Sequence, residues 1–136
     1  MRLDIIAQIL ADAGLGTIGG ANPTIFVTRM PSECTIGIML RSPLDGVPVD
    51  ANLPNYFHHH IQVVIRHNEQ VAGDALAAQV QKTLTFYNRK FLDNDGKLVM
   101  QINHLFPVTL PRVYPTLDSL SIEWSMDMNT NYVMPL

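Results

Sequence analysis

The chain has 136 residues and a formal net charge of -3, with 47% hydrophobic and only 15% charged residues. This composition excludes a disordered chain, predicts a single domain over residues 1–136 and indicates that part of the surface is an interface. The basic residues form no stripe, so sequence-specific nucleic-acid binding is not expected. No apolar run is long enough for a membrane helix, and an acid as early as Asp4 argues against a secretory signal, so we expect an intracellular protein without a membrane partner.

The chain begins with a predicted surface helix. Apolar residues recur at helical spacing between Leu3 and Ala13, and Gly14 follows as a C-cap. The segment 14–19 also matches the pattern G-x-G-x-x-G of dinucleotide-binding loops. A helix precedes it and Pro23 follows it, whereas that loop requires a strand before and a helix after, so we interpret it as a connector.

Two strands and a long loop are predicted next. Residues 23–29 and 35–41 alternate apolar and polar side chains around a Pro-containing link, which favours an antiparallel hairpin. Turn and breaker residues then dominate a long loop at 42–58, with apolar residues interleaved among them. A loop of this length and composition is expected to order against a partner.

A strand and a helix occupy the middle of the chain. Residues 60–66 alternate with period two, and residues 71–87 repeat apolar side chains at helical spacing. The segment Asp93 to Gly96 predicts a turn, residues 98–106 predict a strand, and Pro107, Pro111 and Pro115 predict an irregular edge. The last strand is predicted over residues 119–128, with Trp124 at its centre.

These elements predict an α+β fold. We expect a two-layer sandwich in which a mainly antiparallel sheet of about five strands packs both helices on one face. The other face should carry the polar residues Arg41, Gln62, Arg66 and Glu123.

The only cluster that suggests metal chemistry is the triplet 58–60. His58 and His60 would share one strand face and are weak candidates for Zn²⁺ ligands, but a third ligand would have to come from His67, His104 or Asp50. The lone Cys34 lies in a strand pattern and is expected to be a buried structural thiol. No motif for nucleophilic catalysis is present, so we expect no enzyme activity, no cofactor and no committed metal site.

The arrangement resembles the tail-terminator and minor capsid proteins of long-tailed bacteriophages. The resemblance lies in the leading helix 3–10, the hairpin end Gly37-Ile38-Met39-Leu40, the loop Asp45-Gly46-Val47-Pro48, the segment Leu53-Pro54-Asn55-Tyr56 leading into strand 61–66, the Ala-rich helix 74–80 and the last strand 122–126. The pattern Ile-Gln-Val-x-x-Arg before a helix is its most telling part. The triplet 58–60 is not part of the family pattern.

The resemblance implies a structural virion protein. Such a subunit would form a homo-oligomeric ring, expected to be a hexamer, that caps the tail tube, stops its polymerisation and joins the tail to the head connector. Its partners would be further copies of itself, the tail tube protein and the connector or neck protein, and DNA would pass through the ring. It would be assembled in the host cytoplasm and reside in the virion.

On this interpretation, we predict a set of residues at subunit or partner interfaces. They are Arg41, Asp45, Val47, Val49, Leu53, Tyr56, Phe57, Arg66 and Glu123. A head-completion or neck protein of the same size is the alternative within the structural class. A metal- or ligand-binding domain built around His58 and His60 is the alternative outside that class.

Overall fold

One mixed sheet organises the protein. The computed structural model describes residues 1–42, 46–115 and 121–135, and within them seven strands form a single sheet with two helices. The strand order is β1-β2-β3-β7-β5-β4, and β6 pairs with β7 beside β5. The elements are α1 (Leu3–Asp12), β1 (Ile25–Val27), β2 (Gly37–Arg41), β3 (Tyr56–His67), α2 (Gln70–Thr83), β4 (Phe86–Leu92), β5 (Leu98–Pro107), β6 (Arg112–Pro115) and β7 (Ile122–Val133).

The longest pairing joins β3 to β7. The two strands run antiparallel in unbroken register from Tyr56 opposite Val133 to His67 opposite Ile122. Both strands are longer than predicted: β3 already begins at Tyr56, inside the predicted loop, and β7 continues to Val133. The predicted alternation in the last strand is confirmed, because Trp124, Met126 and Met128 are all buried. Its first predicted core residue, Leu120, lies outside the described residues.

The second edge of β7 is shared by β5 and β6. Pro107 pairs with Met128 and Arg112 pairs with Ser125, so four residues, 108–111, loop out opposite only two residues of β7. The segment with three prolines, predicted as an irregular edge, therefore contains a short strand after an outward loop. Pro107 and Pro111 favour an interruption of the pairing at this loop, because proline cannot donate a hydrogen bond to a sheet.

The predicted hairpin of the first two strands is wrong in direction. β1 pairs with β2 in parallel, with Ile25 beside Ile38 and Val27 beside Leu40. Thr28 has a φ of 75°, which turns the chain out of the sheet at the end of β1. Residues 29–36 then lead back, so that β2 runs in the same direction as β1. A hairpin interpretation assumed that a short link reverses the chain, whereas this link returns the chain to the start of the neighbouring strand.

Two further boundaries differ from the sequence prediction. The second helix ends at Thr83 rather than at residue 87, and residues 86–92 form β4, a strand that was not predicted. The mainly exposed β4 has the polar centre Asn88-Arg89-Lys90, which hides the alternation expected of a strand. The turn at residues 93–97 is confirmed, since the backbone N–H of Asp93 donates to the carbonyl of Lys97 at 2.9 Å.

Both helices pack on one face of the sheet, as predicted. Helix α1 contacts β1 and β2, α2 contacts β3 and β7, and the two helices touch each other. We call this the helix face; it carries Ile61, Val63 and Ile65 of β3. The opposite side is the polar face, with Gln62, Arg66 and Glu123. The α+β class with two helices on one face is thus confirmed, with two strands more than the expected five.

The C-terminus of α1 has the predicted glycine cap. Gly14 has a φ of 78°, and its N–H donates to the Ala11 carbonyl at 3.0 Å. The N–H of Leu15 donates to the Leu10 carbonyl at 3.1 Å, and the Leu15 side chain packs on the core. These two hydrogen bonds and the apolar contact form a Schellman motif, which ends the helix at a defined residue.

Helix α2 is held to the sheet by Trp124. The indole lies flat against Gly73, where an added Cβ would lie 2.0 Å from Trp124 Cη2. The indole Nε1 donates to Asp74 Oδ1 at 2.7 Å, so the buried N–H has a partner. Gly73 is therefore required for the close approach of helix and sheet.

This contact predicts that Gly73→Ala lowers the free energy of unfolding. Helix propensity alone would make Gly73→Ala stabilising by about 1 kcal/mol. Because the new methyl group overlaps a fully buried indole, we expect instead a loss of about 1–3 kcal/mol in the free energy of unfolding. Urea unfolding measures it, with Ala75→Gly on the exposed side of the same helix as the control. A more stable Gly73→Ala variant would contradict the packing.

Candidate functional site

Polar side chains join three strands on the polar face. Arg41 Nε of β2 donates a hydrogen bond to Gln62 Oε1 of β3. Gln62 Nε2 in turn donates to Ser125 Oγ of β7 at 3.0 Å. Ser125 is buried and Gln62 partly buried, so this chain is shielded from water over part of its length. The predicted interface residue Arg41 is thus anchored to its own sheet.

Arg66 and Glu123 form an ion pair on the same face. They lie directly opposite each other on β3 and β7, and Arg66 Nε and Nη2 donate to Glu123 Oε2 at 3.2 and 3.1 Å. Arg66 Nη1 also donates to the carbonyls of Pro31 and Cys34, at 2.8 and 3.0 Å. The side chains of Arg66 and Glu123 are only 18% and 27% exposed. The pair therefore fixes the crossing segment 29–36 onto the sheet, and its predicted role in subunit contacts remains a prediction.

His58, His60 and His104 lie at the end of the polar face opposite Arg66. As predicted, His58 and His60 share a face, while His59 turns away and its Nε2 bonds the Gly46 carbonyl at 2.6 Å. His58 Nδ1 bonds Asn131 Oδ1, and the His58 and His104 rings meet edge to face at 6.5 Å. The Nε2 atom of His104 is buried and has no hydrogen-bond partner among the described residues.

The candidate Zn²⁺ ligands do not lie together in one site. His67 Nδ1 accepts from the Glu69 N–H, and Asp50 lies in a separate turn. Within residues 1–42, 46–115 and 121–135, no three His, Cys, Asp or Glu side chains are grouped so that they could hold a metal ion. At this end of the polar face, His58 and His60 of β3 lie opposite Asn131 and Asn129 of β7, and His104 of β5 also lies opposite Asn131.

The predicted partner loop is a structured turn. The Asp50 carboxylate accepts the Asn52 N–H at 2.9 Å, and the carbonyl of Asp50 accepts the Leu53 N–H at 3.1 Å. The Asn55 carbonyl accepts the N–H of Met134, which ties the end of the turn to the C-terminal segment. The segment encloses an open cavity of about 390 Å³ lined by Pro48, Val49, Asp50, Ala51, Leu53, Tyr56 and His58.

The predicted interface residues of this loop have different environments. Val49 and Leu53 are exposed, Tyr56 is partly buried beside the cavity, and Val47 packs on the core. Phe57 is only 6% exposed and stacks on Tyr132 with ring centroids 5.2 Å apart, so it belongs to the core rather than to this surface. Burial also raises the pKa of the Tyr132 hydroxyl. Asp45 lies outside the described residues.

Sequence reasoning missed two apolar surfaces at the sheet edges. Val108 and Leu110 are exposed on the loop between β5 and β6, and Ile18 and Val27 are exposed beside α1. A sequence pattern does give a clue to the first, because apolar residues stand between Pro107 and Pro111 in a segment that cannot pair regularly. The second depends on the position of β1 at the sheet edge, which alternation alone does not give.

A protein-family model matches most of the chain. Residues 9–134 match the family model described as "Bacteriophage tail terminator protein". The chain therefore belongs to the bacteriophage tail terminator protein family. No match was found among curated proteins.

A chain of known structure has a similar fold. A chain from the structure titled "Virion of native gene transfer agent (GTA) particle" superposes with a TM-score of 0.58 at 12% identity, covering 92% of this chain and 84% of that chain. In the part of the chain that the structure describes, neither helix is long and apolar enough to cross a membrane.

The Arg66 ion pair yields a quantitative expectation. Arg66→Glu places two carboxylates together and removes two donors to backbone carbonyls, so we expect a loss of about 3 kcal/mol or more in the free energy of unfolding. Adding Glu123→Arg should restore only part of that loss, because a glutamate at position 66 cannot donate to Pro31 and Cys34.

The exposed pair Arg112 and Asp127 is the matched control. Their side chains are 49% and 34% exposed, so Arg112→Glu should change stability by less than about 1 kcal/mol. Denaturant midpoints measure the stability of all three variants. Equal losses for Arg66→Glu and Arg112→Glu, or full rescue by Glu123→Arg, would show that the carbonyl contacts of Arg66 contribute nothing.

Proposed function

We propose that this protein is a tail terminator that forms a homo-oligomeric ring on the last ring of the tail tube. The ring, expected to be a hexamer, stops tube polymerisation and then presents a surface to the head connector. DNA passes through its opening. The partners are further copies of the chain, the tail tube protein and the connector or neck protein. The protein acts in the host cytoplasm during assembly and remains in the virion.

The family match over residues 9–134 carries this proposal. It begins in the last turn of α1 and includes α2 and every strand from β1 to β7, so it concerns nearly the whole fold rather than one motif. The shared fold with a chain of a gene transfer agent virion supports a place in a particle.

The described surfaces suit a protein that works by recognition. A cap must bind a tube end in one orientation, which requires rigid contact surfaces and no chemical step. The turn at residues 50–53 is held by side-chain and backbone hydrogen bonds, and it presents the exposed apolar residues Val49 and Leu53. Pre-ordered apolar residues lose little conformational entropy on binding. We assign this turn to the contact with the tube or the connector.

Removal of the protein from a phage tests the proposal. A stop codon early in the gene should yield tails longer than wild type and heads without tails, since polymerisation continues when the cap is absent. Electron microscopy measures the tail lengths, and the wild-type gene supplied in trans should restore the normal length.

Two other outcomes would contradict the proposal. Tails of normal length beside filled heads would identify a neck or head-completion protein instead. Intact infectious particles would show that the gene has no part in tail assembly.

A further inference from the structure

Two exposed apolar surfaces to which the proposed function assigns no contact lie at opposite edges of the sheet. The first is the outward loop 108–111, which we call the Leu110 projection. The second is a groove between α1 and β1, which we call the α1 groove, lined by Asp4, Ile5, Ala7, Gln8, Ile18, Ile25 and Val27. β1 is the terminal strand at one edge, whereas the projection follows β5 on the far side of β7.

The Leu110 projection is exposed but fixed in place. Leu110 is 78% exposed and Val108 is 57% exposed. The N–H of Val108 donates to the Asp127 carbonyl at 2.9 Å, and Gln81 Nε2 of α2 donates to the Thr109 carbonyl at 3.2 Å. These bonds anchor the loop to both the sheet and the helix layer. A fixed, exposed leucine is suited to act as an anchor that fills a pocket in a partner.

The α1 groove has the size and chemistry to receive it. Its volume is about 520 Å³, within the range of binding clefts, and five of its seven lining residues are apolar. Ile18 and Val27 at its rim are large side chains left substantially exposed. The lining includes Ile25, which packs in the core cluster, so the floor of the groove is part of the folded core.

The charges around the two surfaces are opposite. Asp4, Gln8 and Asp12 recur every four residues on the exposed side of α1 beside the groove; Asp4 is paired with Arg2 and Asp12 accepts from Gln8. On the other edge, Lys82 lies in the last turn of α2, next to the residue that binds the projection.

The geometry points to a head-to-tail contact in which the Leu110 projection of one copy fills the α1 groove of the next copy. Both surfaces lie in the helix layer, so successive copies would keep their helices on the same side. Two different surfaces at opposite edges form a heterologous contact, which propagates and closes into a ring when the rotation allows it. The inference rests on the proposed ring and names its contact residues.

Complementation of the stop-codon phage tests the contact. Leu110→Asp should fail to restore normal tail length, with self-association weakened by about 30-fold or more, as for a lost hot-spot residue. Ile18→Asp in the groove should have the same effect. Leu92→Asp, at an apolar site on β4 whose exposure lies between those of Ile18 and Leu110 and which is outside both surfaces, is the control and should restore normal tails. Thermal unfolding of each purified variant should match the wild type, because all three side chains are exposed.

Cross-linking tests proximity directly. In a Cys34→Ser background, Val27→Cys and Leu110→Cys on separate copies should be joined by a short bifunctional maleimide in purified particles, and the double variant should give a ladder of oligomers. The same pair is tested on the purified chain at high concentration. Leu92→Cys replaces Leu110→Cys as the control and should remain unlinked.

The failures can be told apart. Normal tails in the stop-codon phage would contradict the proposed terminator, and the cross-linking of purified chains would still decide the contact. Overlong tails without the gene, together with full rescue by Leu110→Asp and no cross-link between positions 27 and 110, would overturn the contact and leave the terminator intact.

Discussion

The antiparallel pairing of β3 with β7 is the constraint on which the rest of the structure depends. It joins a strand from the middle of the chain to the last strand, in register over the full length of both. The pairing places Ile65 beside Trp124 on one face and Arg66 beside Glu123 on the other. A shift of one residue would exchange these faces, burying the charges and exposing the indole, so the register is strongly specified.

Apart from the α1 groove, each surface with a proposed role is attached to one of these two strands or to the chain just beyond β7. The turn at 50–53 leads into β3, and Met134, one residue after β7, donates to Asn55 beside it. The crossing segment 29–36 is held by Arg66 of β3, and the Leu110 projection is held by Asp127 of β7. Helix α2 is held by Trp124 of β7 through Gly73 and Asp74. One pair of strands thus holds several separate surfaces in fixed positions, as the proposed contacts with more than one kind of neighbour require.

The sequence predicts those parts of the fold that are defined by the local spacing of apolar and turn residues. The stripe of α1 with its glycine cap, the alternation around Trp124 and the turn at 93–97 were all predicted correctly, because each depends on local spacing and on residues near in sequence. The parallel pairing of β1 and β2 was missed because direction depends on the path of the link, and Thr28 at positive φ gives no clear pattern. β4 was missed because Asn88, Arg89 and Lys90 interrupt its alternation at an exposed edge.

The sequence predicts only part of the candidate site, because local alternation gives the face of each residue but not its partner on a distant strand. Placement of Arg41, Gln62, Arg66 and Glu123 on one face follows from alternation, but the pairing of Arg66 with Glu123 requires the register between distant strands. Phe57 was assigned to the loop surface, whereas its stacking on Tyr132 requires β3 to begin earlier than its alternation indicated. The α1 groove and the Leu110 projection depend on which strands lie at the edges of the sheet. Strand order results from pairing between distant segments, so no single segment of the sequence predicts it.

Electron cryo-microscopy of the head-proximal end of intact tails tests the central claim most directly. The account predicts a closed ring of copies of this fold on the last ring of the tube, located between the tube and the connector. Density for this fold at another place in the particle, or as a single copy without a ring, would contradict the account.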